Sequence, residues 1–148
     1  MGRLRIAAVV AVAVSMTACL SLIEGESTST EARGLPEVER AVLLGRSMWF
    51  LVYAKDVSIW SVDGVTGSGA GERRWEVAPG RHSVEVEEWG MVGGMGGTVR
   101  YGFGLEMQAG HRYTIQWVRQ KSGCVVEIEE KAPDRETGTV LPVPCEER

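Results

Sequence analysis

Trp75-Glu76-Val77-Ala78-Pro79-Gly80-Arg81-His82-Ser83-Val84-Glu85-Val86-Glu87 is the stretch that decides the fold. His82, Val84 and Val86 share one parity, and Ser83, Glu85 and Glu87 share the other. Successive side chains of a strand point to opposite faces, so this period of two marks a strand buried on one face and wet on the other. Pro79-Gly80 ahead of it is turn chemistry, a fixed φ followed by a residue free to turn left-handed, and Trp75-Glu76-Val77 leads in as a short strand.

Downstream, Val99, Tyr101, Phe103, Leu105 and Met107 alternate with Arg100, Gly102, Gly104 and Glu106 as far as Ala109-Gly110. Tyr113, Ile115 and Trp117 then face inward against Thr114 and Gln116. These three runs read as an antiparallel meander. Upstream, residues 57–62 form a strand closed by Asp63-Gly64 and residues 48–53 are extended; residues 124–129 and 139–143 add two more strands. Residues 36–45 read two ways. Pro36, Glu37, Glu39 and Gly45 suit a short helix, whereas Ala41-Val42-Leu43-Leu44 suits a first strand, the reading that agrees with the rest of the chain. Seven or eight short strands at this spacing predict an all-β fold, a single antiparallel β-sandwich over residues 37–148. Some ~110 residues are enough for one hydrophobic core.

The chain opens Met1-Gly2-Arg3-Leu4-Arg5, runs apolar over residues 6–16 and reaches Thr17-Ala18-Cys19. A basic start, a short apolar core and small residues before a cleavage point make a secretory signal. Residues 6–16 fall well short of the roughly 20 apolar residues a membrane-crossing helix needs. A cysteine at the first mature position resembles a bacterial lipoprotein signal, with Met16 where leucine is more usual; a plain signal peptide is the competing reading. The resemblance implies that residues 1–18 are removed and that Cys19 carries a thioether-linked diacylglycerol and an amide-linked chain such as palmitate. Each buried CH₂ contributes about 0.8 kcal/mol, so several chains hold far more firmly than one. With Leu20 and not aspartate after the cysteine, the same resemblance to bacterial lipoproteins implies the outer membrane, facing the periplasm, if the cell has one.

Residues 19–36, rich in Ser, Thr, Glu and Gly and lacking an apolar period, predict a flexible tether behind the lipidated N-terminus. As a coil of about 17 residues it would span about 23 Å. The chain has 16 Lys and Arg against 20 Asp and Glu; without Arg3 and Arg5, 14 basic residues remain and the formal charge is −6. An acidic surface with no basic stripe argues against nucleic-acid binding. It equally disfavours electrostatic adhesion to anionic lipid, which leaves anchoring to the acyl chains. Cys124 and Cys145 remain after Cys19, and an even pair in an oxidising compartment predicts a disulfide. Closing a loop of about 20 residues contributes about 3 kcal/mol in the chain-entropy model and would pin the C-terminal tail. The absence of C-x-x-C spacing and of clustered histidine weighs against a metal or redox role for the pair.

Ile59-Trp60-Ser61-Val62-Asp63-Gly64, Val77-Ala78-Pro79-Gly80-Arg81-His82-Ser83-Val84-Glu85-Val86 and Ala109-Gly110-His111-Arg112-Tyr113-Thr114-Ile115 carry a family likeness. Together they resemble small uncharacterised bacterial lipoproteins with a PEGA-like, immunoglobulin-like β-sandwich domain. In that pattern a V-D-G turn closes one strand, P-G-x-H opens another and A-G-x-x-Y opens a later one. The matching residues are turn chemistry, so the resemblance implies a fold and an address in the cell envelope and no activity.

Chemistry-bearing residues are sparse. His82 and His111 each follow a turn glycine and open a strand, and with Asp63 they could form a weak metal site. The plainer reading puts His82 on the core face beside Val84 and His111 in its turn, and no metal or cofactor is expected. No serine stands in a nucleophile elbow, and no enzyme activity is expected. Gly67-Ser68-Gly69-Ala70-Gly71 lacks the lysine and the helix of a phosphate loop. Residues 90–97 read as a flexible hairpin loop whose Met91, Val92 and Met95 offer adaptable contacts to a partner, against the competing reading of an ordinary long connection. Trp75 and Trp117 face inward, whereas Trp60 and Trp89 take the opposite parity, where tryptophan can stack on a sugar or anchor a protein contact, against the plainer reading that loops cover that face and bury both rings. The favoured function is a membrane-anchored envelope lipoprotein whose noncatalytic sandwich binds or supports another envelope protein through an edge or a loop. The alternative is a small-ligand module holding a sugar or metal with Trp60, Trp89, His82 and His111.

Overall fold

The computed structural model describes residues 25–50, 53–67, 73–92, 95–120 and 123–148, so the signal region and Cys19 lie outside the described residues. Strands dominate, in two sheets. The first has the order β1 (Glu26–Thr28), β6 (Arg74–Val77), β2 (Ala41–Leu44), β9 (Arg112–Arg119), β10 (Val125–Lys131) and β11 (Thr139–Pro144). The second has the order β12 (Glu146–Glu147), β8 (Met95–Met107), β7 (Gly80–Val92), β4 (Tyr53–Val62) and β3 (Arg46–Phe50), with β5 (Val65–Thr66) folded back on β4.

Both sheets contribute to one buried cluster. Leu43, Trp75, Val77, Tyr113, Ile115 and Ile128 come from the first, and Val57, Ile59, Val84, Val86, Tyr101 and Phe103 from the second. Each such side chain contributes about 1.5–3 kcal/mol on burial. The stretch 75–87 folds as its alternation demands: Val84 and Val86 are fully buried, and Gly80 takes a φ of 134° that a side chain would resist.

The pairing of the strands differs from the meander. β7 and β8 form a long antiparallel hairpin, but β9 crosses to the first sheet, where it lies parallel to β2 and antiparallel to β10. β1 is also parallel to β6, so this sheet is mixed, and the described residues hold twelve strands, from two to thirteen residues long, where seven or eight short ones were expected. Alternation reports which face of a strand is buried and is silent on its neighbour. The hairpin also corrects the flexible loop over residues 90–97, because pairing continues through Gly90↔Gly97 and Met91↔Gly96 to Val92↔Met95.

The tether is corrected too. Ser27 and Thr28 pair with Trp75 and Glu76, and Ser29 caps a short helix α1 (Thr30–Arg33) by accepting from the Ala32 N–H at 3.2 Å. Ala32 is fully buried, so the fold begins by residue 26 and not at 37. An edge strand bonds through its backbone, and Ser and Thr serve both strand and cap, which is why no apolar period announces the segment. Residues 37–45 divide between a 3₁₀ turn (Glu37–Glu39) and β2.

Gly45 is where the chain passes from the first sheet to the second. A Cβ there would collide with the Val57 carbonyl oxygen, and the Gly45 N–H donates to Arg73 O at 2.8 Å. Arg73 in turn donates to Gly25 O, so Gly25, Arg73 and Gly45 form one row at the end of the first sheet. From that row β3 runs on, and its hairpin with β4 lies beside the β7–β8 hairpin out to the tips, with Phe50↔Tyr53, Tyr53↔Val92 and Val92↔Met95 in register. Just above the tips lies a polar collar. Lys55 and Glu88 pair at 2.9 Å with their side chains 16% and 18% exposed, and Arg46 and Lys55 stand over the Trp117 ring at 4.8 and 5.7 Å. Trp117 was expected in the core; a register shift opposite Glu127/Ile128 gives the buried place to Val118 and leaves Trp117 half-buried under these cations.

Candidate functional site

His82 sits at the turn-rich end of the second sheet, where β4 turns into β5. Its Nδ1 lies 2.7 Å from Asp63 Oδ2 and its Nε2 2.7 Å from Ala78 O, while Asp63 Oδ1 accepts the Ser83 N–H at 2.9 Å. Asp63 itself has a left-handed φ of 52°, which aspartate tolerates. Burial pulls the Asp63 carboxyl upward, but the His82 and Ser83 hydrogen bonds and the His82 charge outweigh it and hold the group below the usual carboxylate value. The imidazole thereby ties two turns together, with both ring nitrogens engaged.

His111 has a different partner. Its Nδ1 lies 3.0 Å from Glu130 Oε1, the same oxygen accepts from the Tyr113 hydroxyl at 3.0 Å, and the Tyr113 oxygen accepts the Gln108 N–H at 2.9 Å. Burial, with Glu130 adding to it, pushes the Tyr113 phenol up to about 12. Each histidine is thus held by its own carboxylate. Among the described residues no group of three His, Cys, Asp or Glu could hold a metal ion, so His82, His111 and Asp63 are not assembled into one.

Trp60 and Trp89 lie on the outer face of the second sheet, both half-buried. A bulge between Ile59 and Ser61 leaves Trp60 as the extra residue of β4, and the Arg100 guanidinium lies 3.6 Å from the Trp60 ring centroid while bonding Glu87 at 2.9 Å. The ring face that would stack on a sugar is therefore occupied by an arginine. Trp89 lies against Gly96, Arg81 against Gly104 and Arg148 against Gly102. The glycines at alternate positions of β8 make room for these long side chains, a signal present in the sequence but read only as alternation.

A cleft of about 370 Å³ opens between the Ser27–Thr30 segment and the β4–β5 hairpin. Ser27, Thr28, Thr30, Arg33, Asp63 and Thr66 line it above Trp75. The Trp75 indole N–H is buried and meets no acceptor among the described residues. Reading residues 19–36 as tether hid this cleft, since one of its walls is built from them.

Cys124 and Cys145 stand at disulfide distance, with Cα atoms 5.0 Å apart and the Cys145 N–H donating to Cys124 O at 3.0 Å. The pair joins the start of β10 to the step from β11 into β12. Met91 lies in β7 opposite Ala54 and Gly96, and Met95 opens β8 with its residue 82% exposed. Comparison with protein-family models, with curated proteins and with solved structures finds no match for this chain.

Proposed function

We propose that this chain is a lipid-anchored protein of the bacterial cell envelope whose two sheets make up a single immunoglobulin-like β-sandwich, a noncatalytic binding or structural module. The observation that carries the reading is the start of the chain, where a basic and short apolar leader ends in Thr17-Ala18-Cys19. The Cys124–Cys145 pair supports it, because two thiols placed at disulfide distance suit an oxidising compartment. The partner is another envelope protein, taken up by strand addition along β8. On its outer side β8 is covered by the C-terminal segment at Arg100, Tyr101 and Gly102, with the Arg148 N–H donating to Arg100 O at 3.0 Å, which leaves the ends of this 13-residue strand for an incoming strand.

A second reading rests on the cleft above Trp75. Hydroxyls, a carboxylate, a guanidinium and an indole N–H with no acceptor suit a small polar ligand such as a sugar better than Trp60 or Trp89 do. The test of the first reading is the intact mass of the protein purified from membranes, beside a Cys19→Ala variant. The expected result is a chain beginning at an acylated Cys19, with the variant released or unprocessed. An unlipidated, secreted wild-type chain would overturn the anchor and move effort to ligands of the cleft.

A further inference from the structure

The two sheets are finished differently at their edges. The first ends in β11, whose Pro142 and Pro144 have no backbone N–H to offer, and in the three-residue β1. Proline and short length both discourage a further strand. In the second sheet β12 covers β8 only near its middle. The Arg148 N–H donates to Arg100 O, so the Arg100 backbone faces outward there. Residues two apart in a regular strand send their backbone groups to the same side, and the register of β8 on β7 runs unbroken from Glu87↔Arg100 through Trp89↔Thr98 to Met91↔Gly96. The N–H and C=O of Thr98 and Gly96 therefore also face outward, past the end of β12, with no strand beside them among the described residues.

Nothing guards this stretch against pairing. Met95-Gly96-Gly97-Thr98-Val99 has no charge and no proline, and Met95 to Thr98 are exposed. Three glycines of β8 serve the fold itself, since Gly96, Gly102 and Gly104 make room for Trp89, Arg148 and Arg81. Gly97 does not: a Cβ there would meet nothing within 4 Å, and its φ is not left-handed. Glycine inside a strand weakens it and often marks where another backbone approaches.

We infer that residues 95–99 of β8 pair with the same residues of a second copy of this chain, antiparallel about a two-fold axis at Gly97. The inference rests on the strand-addition reading and names the strand that β8 receives. In this register Gly96 faces Thr98 of the second copy and Thr98 faces its Gly96, which joins the outward N–H and C=O groups of both. Met95 faces Val99 of the second copy on the inner face, where Val99 already packs against the core and Gly97 leaves space for the longer side chain. The free length, from Met95 to the end of β12 at Arg100, is used in full on both copies. Charge selects the occupant. The chain is acidic, so two copies repel across most approaches, and like charges facing each other across strands destabilise a pair. This edge has none. Such a contact lies at the small end of protein interfaces, and anchoring in one membrane would raise the effective concentration that it needs.

The experiment is copper-phenanthroline oxidation of the full-length protein purified from membranes into lipid vesicles, as wild type, Gly97→Cys and Val140→Cys. Facing residues of a pair without mutual hydrogen bonds have Cα atoms about 4.5 Å apart, within disulfide reach. The expected result is a disulfide-linked dimer of Gly97→Cys, several-fold more abundant than in Val140→Cys, whose site on β11 is also exposed. Adding Thr98→Pro, which removes an outward N–H and spares the β7 side, or Met95→Glu should lower that yield several-fold with urea midpoints unchanged. Equal yields at residues 97 and 140, or no dimer from folded Gly97→Cys, overturns the inference. Dimer formation at residue 97 in a protein whose mass shows no acyl group sustains the pairing and removes the anchor. A photocrosslinker at Thr98 in cells that captures one different protein, and no second copy, also overturns it and leaves strand addition standing.

Discussion

The two ends of the second sheet are built from the same strands and opposite chemistry. At one end the turns carry Asp63, His82, Gln108 and His111, and nearly every polar group has a named partner: Asp63 with His82 and Ser83, His111 with Glu130, Gln108 with Tyr113. At the other end the strands continue past the Lys55–Glu88 collar into hairpins without charge. The core is shared, so the difference teaches where stability and contact are separated. The turn-rich end holds register through side-chain hydrogen bonds. At the other end the strands stay paired through Phe50↔Tyr53, Tyr53↔Val92 and Val92↔Met95, and Met95 is 82% exposed.

The largest expected effect comes from the covalent staple, which lies toward the apolar end. A Cys124→Ser, Cys145→Ser double variant loses about 3 kcal/mol by the chain-entropy estimate, read as a fall in the urea midpoint that reductant reproduces in the wild type. If the midpoint does not move, the C-terminal segment is held by β-pairing and the staple is incidental. Next comes Asp63→Ala at the turn-rich end, expected to cost about 1–2 kcal/mol because it removes the acceptor of both His82 and Ser83. The lower figure is favoured because the Asp63 side chain is 51% exposed.

Acid should act on the same end. Asp63 and Glu76 both lie below their ordinary values of 3.8 and 4.5, Glu76 through hydrogen bonds from Arg40 and then Arg74. A carboxyl lowered in the fold stabilises it fully above the unfolded value, and that contribution disappears as pH falls through the folded value. Thermal melts are therefore expected to weaken below about pH 4, and Asp63→Asn with Glu76→Gln should flatten that limb. Tyr113 works in the alkaline direction: raised to about 12, it favours the fold below the usual phenol value of 10.0 and loses that contribution as pH climbs from 10.0 toward 12, a limb that Tyr113→Phe should remove. The smallest effect on folding is expected from Met95→Glu, within about 0.5 kcal/mol of wild type, as for any exposed site. A large destabilisation there would mean that the tip packs on its own fold.

Much of the fold was legible because strand alternation is a local signal. Val84, Val86, Tyr101, Phe103, Tyr113 and Ile115 are buried where parity put them. What alternation could not carry was partnership. β9 pairs with β2, which lies some seventy residues earlier, and the parallel β1 is recruited through backbone groups that no side-chain pattern reports. The bulges that displace Trp117 and single out Trp60 are likewise one-residue insertions, invisible until a partner strand sets the count. The site residues were harder to read. His82 and His111 were noticed for their chemistry, yet each is spent on a neighbouring carboxylate. The cleft above Trp75 needed a segment read as tether, and the free edge of β8 needed β12 to show where pairing stops.

The most direct test compares the two ends within one sample by hydroxyl-radical footprinting of the full-length protein on vesicles. Methionine oxidises far more readily than valine, and Met95 is 82% exposed against 79% for Val38 and 62% for Val65, which lie at the turn-rich end. The expected result is modified Val38 and Val65 with Met95 shielded by the second copy. Met95 converted to sulfoxide well ahead of both valines would show the β8 edge in water and contradict the account.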